Sequence, residues 1–135
     1  MTKIFAILVP AIFLASGCSS EVKSRYPTIS FVETDSSGKN VRELAFELTD
    51  RPAKTCISGD WKQAAFLRGA NGYVKDPAYT RTGAKLEVLL VNTMCDVYNS
   101  YSGTLADDEF AGEHVTYGLG FSKSLGKVSG VYSTP

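Results

Sequence analysis

From Pro27 onward, apolar and polar side chains alternate with a period of two far more often than with the 3.6-residue period of a helix. Ile29 and Phe31 flank Ser30, and Leu44, Phe46 and Leu48 alternate with Glu43, Ala45 and Glu47, which is the pattern of half-buried strands. Ser36-Ser37-Gly38-Lys39-Asn40 supplies turn residues between the two runs, so they are expected to pair as a hairpin. Asp50-Arg51-Pro52 marks the next break. A third segment, Thr55 to Leu67, carries Cys56 and Trp61, and Asn71-Gly72 after it is a strong hairpin signal. Tyr73 to Thr80 would return, with Pro77 placing it at an edge, a bulge or an irregular end. Leu86, Val88 and Leu90 share one strand face opposite Lys85 and Glu87. Asp96 to Leu105 and Phe110 to Phe121 flank the turn Ala106-Asp107-Asp108-Glu109, and Ser124-Leu125-Gly126 turns into a last run, Lys127 to Tyr132. These are about eight short strands at hairpin-like intervals, so the expected fold is all-β, a small antiparallel meander closing into a barrel. Closure removes the exposed strand edges that invite aggregation.

Residues 61 to 68 are open to two readings. Asp60-Trp61-Lys62-Gln63 has the form of an N-cap with a capping-box glutamine, and Trp61, Ala64, Ala65 and Arg68 fall at helical spacing before Gly69. A strand is the expectation, and a short helix is the alternative.

The N-terminal pattern is of a different kind. Lys3 precedes an apolar run from Ile4 to Ala15, and Leu14-Ala15-Ser16-Gly17 leads with small residues into Cys18-Ser19-Ser20. The run contains Pro10 and falls well short of the roughly 20 residues that cross a bilayer core. This layout resembles a bacterial lipoprotein signal with its lipobox, although Ala15 stands where that family usually has Leu. The resemblance implies that residues 1–17 are removed, that Cys18 is acylated, and that residues 18–26 tether a domain spanning 27–135 to the membrane. Ser19 in place of Asp implies the outer membrane. Several acyl chains on one residue meet the need for more than one anchor in stable attachment.

Composition narrows the partners. Lys3 is the only charged side chain in 1–17, so the remainder carries one fewer than the 14 basic residues against all 14 acidic ones, net about −1. That balance lacks the basic field that phosphate neutralisation requires, which argues against nucleic acid. With Cys18 consumed by lipid, Cys56 and Cys95 remain as an even pair in an oxidising compartment, and a disulfide is expected. There is no C-x-x-C and no second ligand at metal spacing.

Gly59-Asp60-Trp61 resembles the G-x-W at the first barrel strand of lipocalins and the early Trp of avidin-like barrels. That resemblance implies that Trp61 seals one end of a barrel beneath a ligand cavity; the plain reading is a core Trp beside a glycine bulge. Among the 7 tyrosines, Tyr98, Tyr101 and Tyr117 are candidates to line such a cavity, since a phenol offers an apolar face and a hydroxyl. Asp107-Asp108-Glu109 has carboxylates for calcium but reads more simply as a solvated turn. Val115, Tyr117, Leu119 and Phe121 share the parity assigned to the core, which turns His114, the single histidine, outward beside Glu113. A general-base role there is conceivable chemistry without a partner nucleophile. No G-x-S-x-G, H-E-x-x-H or phosphate loop is present.

The expectation is therefore a non-enzymatic, lipid-anchored envelope protein without metal or cofactor. Its barrel would bind a small apolar molecule or lipid through Trp61, Tyr98, Tyr101 and Tyr117. The rival is a protein-interaction module such as an inhibitor of a lysozyme-type hydrolase. Small periplasmic lysozyme inhibitors also combine a lipobox, a β-barrel and a disulfide, but their S-G-x-x-Y stretch is absent, because Ser58-Gly59 runs into Asp60-Trp61-Lys62.

Overall fold

A computed structural model describes residues 23–135. The signal segment 1–17 and Cys18 lie outside the described residues, as does most of the tether. The described chain forms eight antiparallel strands in the order β1 Thr28–Thr34, β2 Asn40–Pro52, β3 Lys62–Gly69, β4 Ala78–Thr82, β5 Lys85–Leu89, β6 Val97–Ala106, β7 Glu109–Gly118 and β8 Phe121–Ser133. Each pairs with its sequence neighbour, and β1 pairs with β8 to close a barrel. The meander is therefore as the alternation of side chains implies.

Residues 62–69 are the expected strand and not the alternative helix: Gln63 is not a capping residue but donates its side-chain amide to Pro52 O at 3.0 Å across the β2–β3 pair. Elsewhere strand boundaries depart from expectation in two places. Asn71–Tyr73 forms a 3-10 turn and not a two-residue hairpin, so the strand expected at 73–80 begins only at Ala78. Ser124-Leu125-Gly126 lies inside β8, and the turn falls at Leu119-Gly120. Asp107 and Asp108, both at positive φ (51° and 62°), form the two-residue turn between β6 and β7, the backbone signature of a type I′ hairpin.

The barrel interior is filled by side chains. Phe31 stands at its centre, edge-on to Tyr101 and Phe110 at 5.1 Å each and to Phe46 at 6.1 Å between ring centroids. Ile29, Leu44, Leu48, Leu86, Val88, Leu105 and Val128 complete the packing. Gly103 and Gly112 face each other across β6 and β7, and a Cβ on either would come within 2.8 Å of the Phe110 ring. These two glycines therefore make the space that the ring fills.

A second apolar cluster lies on the outer wall. Leu89 follows inward-facing Val88 and so points out, where it packs with Ala78, Trp61, Ala53, Ile57 and Tyr98. The β2–β3 connection folds over this patch. Cys56 in it is disulfide-bonded to Cys95 of the β5–β6 connection, with Cα atoms 5.3 Å apart, and the Asn92 side chain donates to Lys54 O at 2.7 Å. Trp61 thus seals the outside of the wall and does not plug the barrel.

Candidate functional site

In an up-and-down barrel the β1–β2, β3–β4, β5–β6 and β7–β8 connections share one end. A cavity of about 300 Å³ opens there, lined by Glu33, Arg42, Gly72, Tyr73, Leu90, Val91, Asn99, His114 and Leu125. The segment leading into β1 enters at the opposite end, where Thr28 pairs with Ser133.

The floor is assembled from two cross-strand pairs. Glu33 lies opposite Arg42 on β1 and β2, and Tyr101 lies opposite His114 on β6 and β7. Glu33 joins them: its Oε2 accepts from Arg42 Nη1 at 2.7 Å and from the Tyr101 hydroxyl at 2.8 Å, and its Oε1 lies 2.8 Å from His114 Nδ1. A guanidinium is always charged, which makes Glu33 its counter-ion and His114 Nδ1–H the donor to Oε1. The Arg42 and Glu33 side chains are only 11% and 5% exposed, so they form a largely buried ion pair inside a hydrogen-bonded network that includes the buried His114 ring. Burial, and then the hydrogen bond to Glu33 and its charge, push the Tyr101 hydroxyl far above the usual tyrosine range, with Arg42 opposing. The Arg42 guanidinium also sits 3.5 Å over the Tyr73 ring centroid, a cation–π contact at the mouth.

One atom of this network is left over. His114 Nε2 is buried and has no hydrogen-bond partner among the described residues. A buried polar atom without a partner costs free energy, and here it belongs to a ring that lines a cavity.

Local sequence explains the positions. Glu33 continues the inward parity of Ile29 and Phe31, and Arg42 that of Leu44, Phe46 and Leu48. His114 continues the parity of Phe110 and Gly112, so it points inward and not outward; its partner is Glu33, while Glu113 pairs with Lys127 on the exposed wall at 2.7 Å. Between His114 and Val115 the β7–β8 register shifts: His114 faces Gly126 and Val115 faces Ser124. Leu125 is the extra residue of that bulge, a device that re-aims a side chain, and it sits on the cavity rim. Gly126 lets β8 approach β1 closely, since a Cβ there would come within 2.6 Å of Thr34 O, while Glu33 Oε1 lies at ordinary contact distance, 3.5 Å.

Of the four expected ligand residues, only Tyr101 faces the interior. Tyr98 and Tyr117 stack on the outer wall at 5.2 Å, Tyr117 donates to outward-facing Glu87 at 2.7 Å, and Trp61 belongs to the same wall's cluster. The parity assigned to Val115, Tyr117, Leu119 and Phe121 is thereby reversed, and Leu119 is 89% exposed. Glu33, Arg42, Asn99 and Leu125 carry no role in the sequence reading. Asp107 to Glu109 forms a hairpin turn, and among the described residues no group of three or more His, Cys, Asp or Glu converges to hold a metal ion.

Larger depressions lie elsewhere. One of about 550 Å³ runs between the β2–β3 connection and β3, where its charged lining residues Arg51, Lys54 and Asp76 are exposed. Another, about 480 Å³, opens at the opposite end of the barrel beside Leu48, Lys62, Tyr79 and Tyr132, and none of its lining residues holds an unpartnered buried polar atom. No family model, curated protein or solved structure matches the chain.

Proposed function

We propose that this chain is a lipid-anchored protein of the bacterial cell envelope that binds a small molecule in the open end of its barrel, without catalysis. The observation that carries the reading is the 300 Å³ cavity, in which the buried Glu33–Arg42–His114 network meets an apolar rim of Tyr73, Leu90, Val91 and Leu125. A few convergent polar groups in a concave, partly apolar setting are what small-molecule sites use to fix orientation. The filled interior below it limits the ligand to the mouth, so a whole lipid chain along the barrel axis is not part of the proposal. The anchor rests on the lipobox-like run ending at Cys18, and the Cys56–Cys95 disulfide is compatible with a location outside the cytoplasm.

Two measurements test this. Mass spectrometry of the membrane-extracted protein should find an acylated Cys18 peptide; an unmodified species retaining residues 1–17 contradicts the anchor. Titration with 1-octanoylglycerol should give saturable binding that Leu125→Trp, at a half-exposed rim position, abolishes. Equal binding by both proteins places the ligand elsewhere.

One observation favours the rival reading. Leu119 and Phe121 expose apolar surface on the β7–β8 turn beside the mouth, as a surface that docks a partner such as a lysozyme-type hydrolase would. Leu119→Asp would then weaken co-elution with that hydrolase and leave octanoylglycerol binding unchanged.

A further inference from the structure

We infer that the cavity selects an amphiphile whose polar end is a hydroxyl group, an assignment that rests on the binding reading above. The hydrogen-bond inventory of the floor supports it. Both oxygens of Glu33 are engaged, Oε2 by Arg42 and Tyr101 and Oε1 by His114. Arg42 spends one N–H on Glu33, and a guanidinium has four more. With Nδ1–H committed to Glu33, Nε2 is the ring's second polar atom, an acceptor in the neutral form of the ring, and nothing among the described residues partners it. Asn99 lines the same cavity with an amide that both donates and accepts.

The floor therefore offers an unfilled acceptor beside spare donors, with the charges of Arg42 and Glu33 already compensating each other. A hydroxyl meets both needs at one atom, donating to Nε2 and accepting from Arg42 or Asn99. A carboxylate only accepts, so it would face the Nε2 lone pair and the charge of Glu33. An ammonium only donates, so it would face Arg42. Both would also lose hydration without a free counter-charge.

The rim and the volume describe the rest of the molecule. Leu90, Val91, Leu125 and the half-exposed Tyr73 ring line the way out, which suits an alkyl or similar apolar tail. At about 30 Å³ per water-sized group, 300 Å³ accommodates a molecule about the size of octanol.

The test uses the full chain with ¹⁵N-labelled histidine and four probes of one tail length: 1-octanol, octyl methyl ether, nonanoate and octylammonium. Octanol is expected to bind saturably and to shift the His114 Nε2 resonance. The ether, which has no O–H to donate, should bind about tenfold more weakly, and the two ions more weakly than octanol. Either ion binding as tightly as octanol, or the ether matching it, overturns the hydroxyl assignment and leaves the cavity reading standing. No saturable binding by any of the four overturns the cavity reading, and the assignment with it. In His114→Gln the preference of octanol over the ether should disappear, and a preference that persists overturns the role of Nε2. Leu125→Ala, at a rim position that can be changed without touching the buried network, should weaken all four probes alike. A loss confined to octanol would contradict the division between polar floor and apolar rim.

Discussion

The barrel holds two enclosed clusters, one on each side of the same wall, built on opposite principles. The outer one, around Trp61, Leu89 and Tyr98, is apolar, drawn half from the β2–β3 connection and half from strands, and locked by the Cys56–Cys95 bond. The inner one, around Glu33, is polar, drawn entirely from strands, and has a cavity above it and an unpartnered nitrogen in it. Apolar clusters stabilise by removing surface from water. A buried ion pair does little for net stability, because desolvation offsets most of its attraction. The outer cluster is thus suited to holding the fold, and the inner one to presenting defined donors and acceptors.

Breaking the inner cluster should give the largest effect. Glu33→Ala leaves Arg42 without its counter-ion and Tyr101 and His114 without an acceptor, for an expected loss of about 3–5 kcal/mol, measured by urea denaturation. A loss below about 1 kcal/mol would mean that the network is not buried as described. Replacing both Cys56 and Cys95 with Ser removes the cross-link over a sequence separation of 39, for an expected loss of about 2–4 kcal/mol. Octanol affinity of the folded fraction should be unchanged, since the cavity is lined by neither cysteine. If affinity falls together with stability, the two clusters are coupled and the comparison fails.

Smaller effects sharpen the contrast. Tyr117→Phe deletes the hydrogen bond to Glu87 on the outer wall and should cost about 1 kcal/mol, with no change at the mouth. Alkaline pH probes both sides together. Burial first, and the adjacent Glu33 and Glu87 next, raise the hydroxyls of Tyr101 and Tyr117 above their ordinary value of 10.0. A raised folded value means that the folded state holds these protons more tightly than the unfolded chain does. Their contribution is therefore complete below about pH 10 and is lost as the pH rises through the folded values. Unfolding midpoints should fall as the pH is taken above 10, with tyrosinate absorbance of the two appearing only as the barrel opens. Ionisation of all the tyrosines near pH 10 in the folded protein would contradict the burial of Tyr101.

The two clusters also differ in how far the sequence reveals them. The eight strands and their order follow from alternation and turn residues, and the cysteine pair follows from parity of count. Glu33 and Arg42 go unread in the sequence although the pattern holds their signal. They sit at inward parity beside Ile29, Phe31, Leu44 and Phe46, and an acid and a base at such positions of one hairpin signal a buried pair. His114 was not legible, for a physical reason. On the outer wall Tyr98 joins the apolar cluster and stacks on Tyr117, so Val115 and Tyr117 imitate a core face and reverse the parity. Trp61 misleads in the same way, since a large apolar side chain is equally at home on either side of a wall that is covered on both. Gly126 resembles a turn residue, but it lies within β8, where the Thr34 carbonyl of β1 leaves no space for a Cβ.

Nuclear magnetic resonance of the full chain titrated with 1-octanol tests the division most directly, because His114 and Trp61 supply one reporter for each cluster. Saturable shifts at the His114 imidazole and at the amides of Glu33, Leu90, Val91, Asn99 and Leu125, with the Trp61 indole unchanged, are the predicted result. Shifts centred on the Trp61 indole with a silent His114 would contradict it, moving the binding site to the outer wall and leaving the polar floor as part of the fold alone.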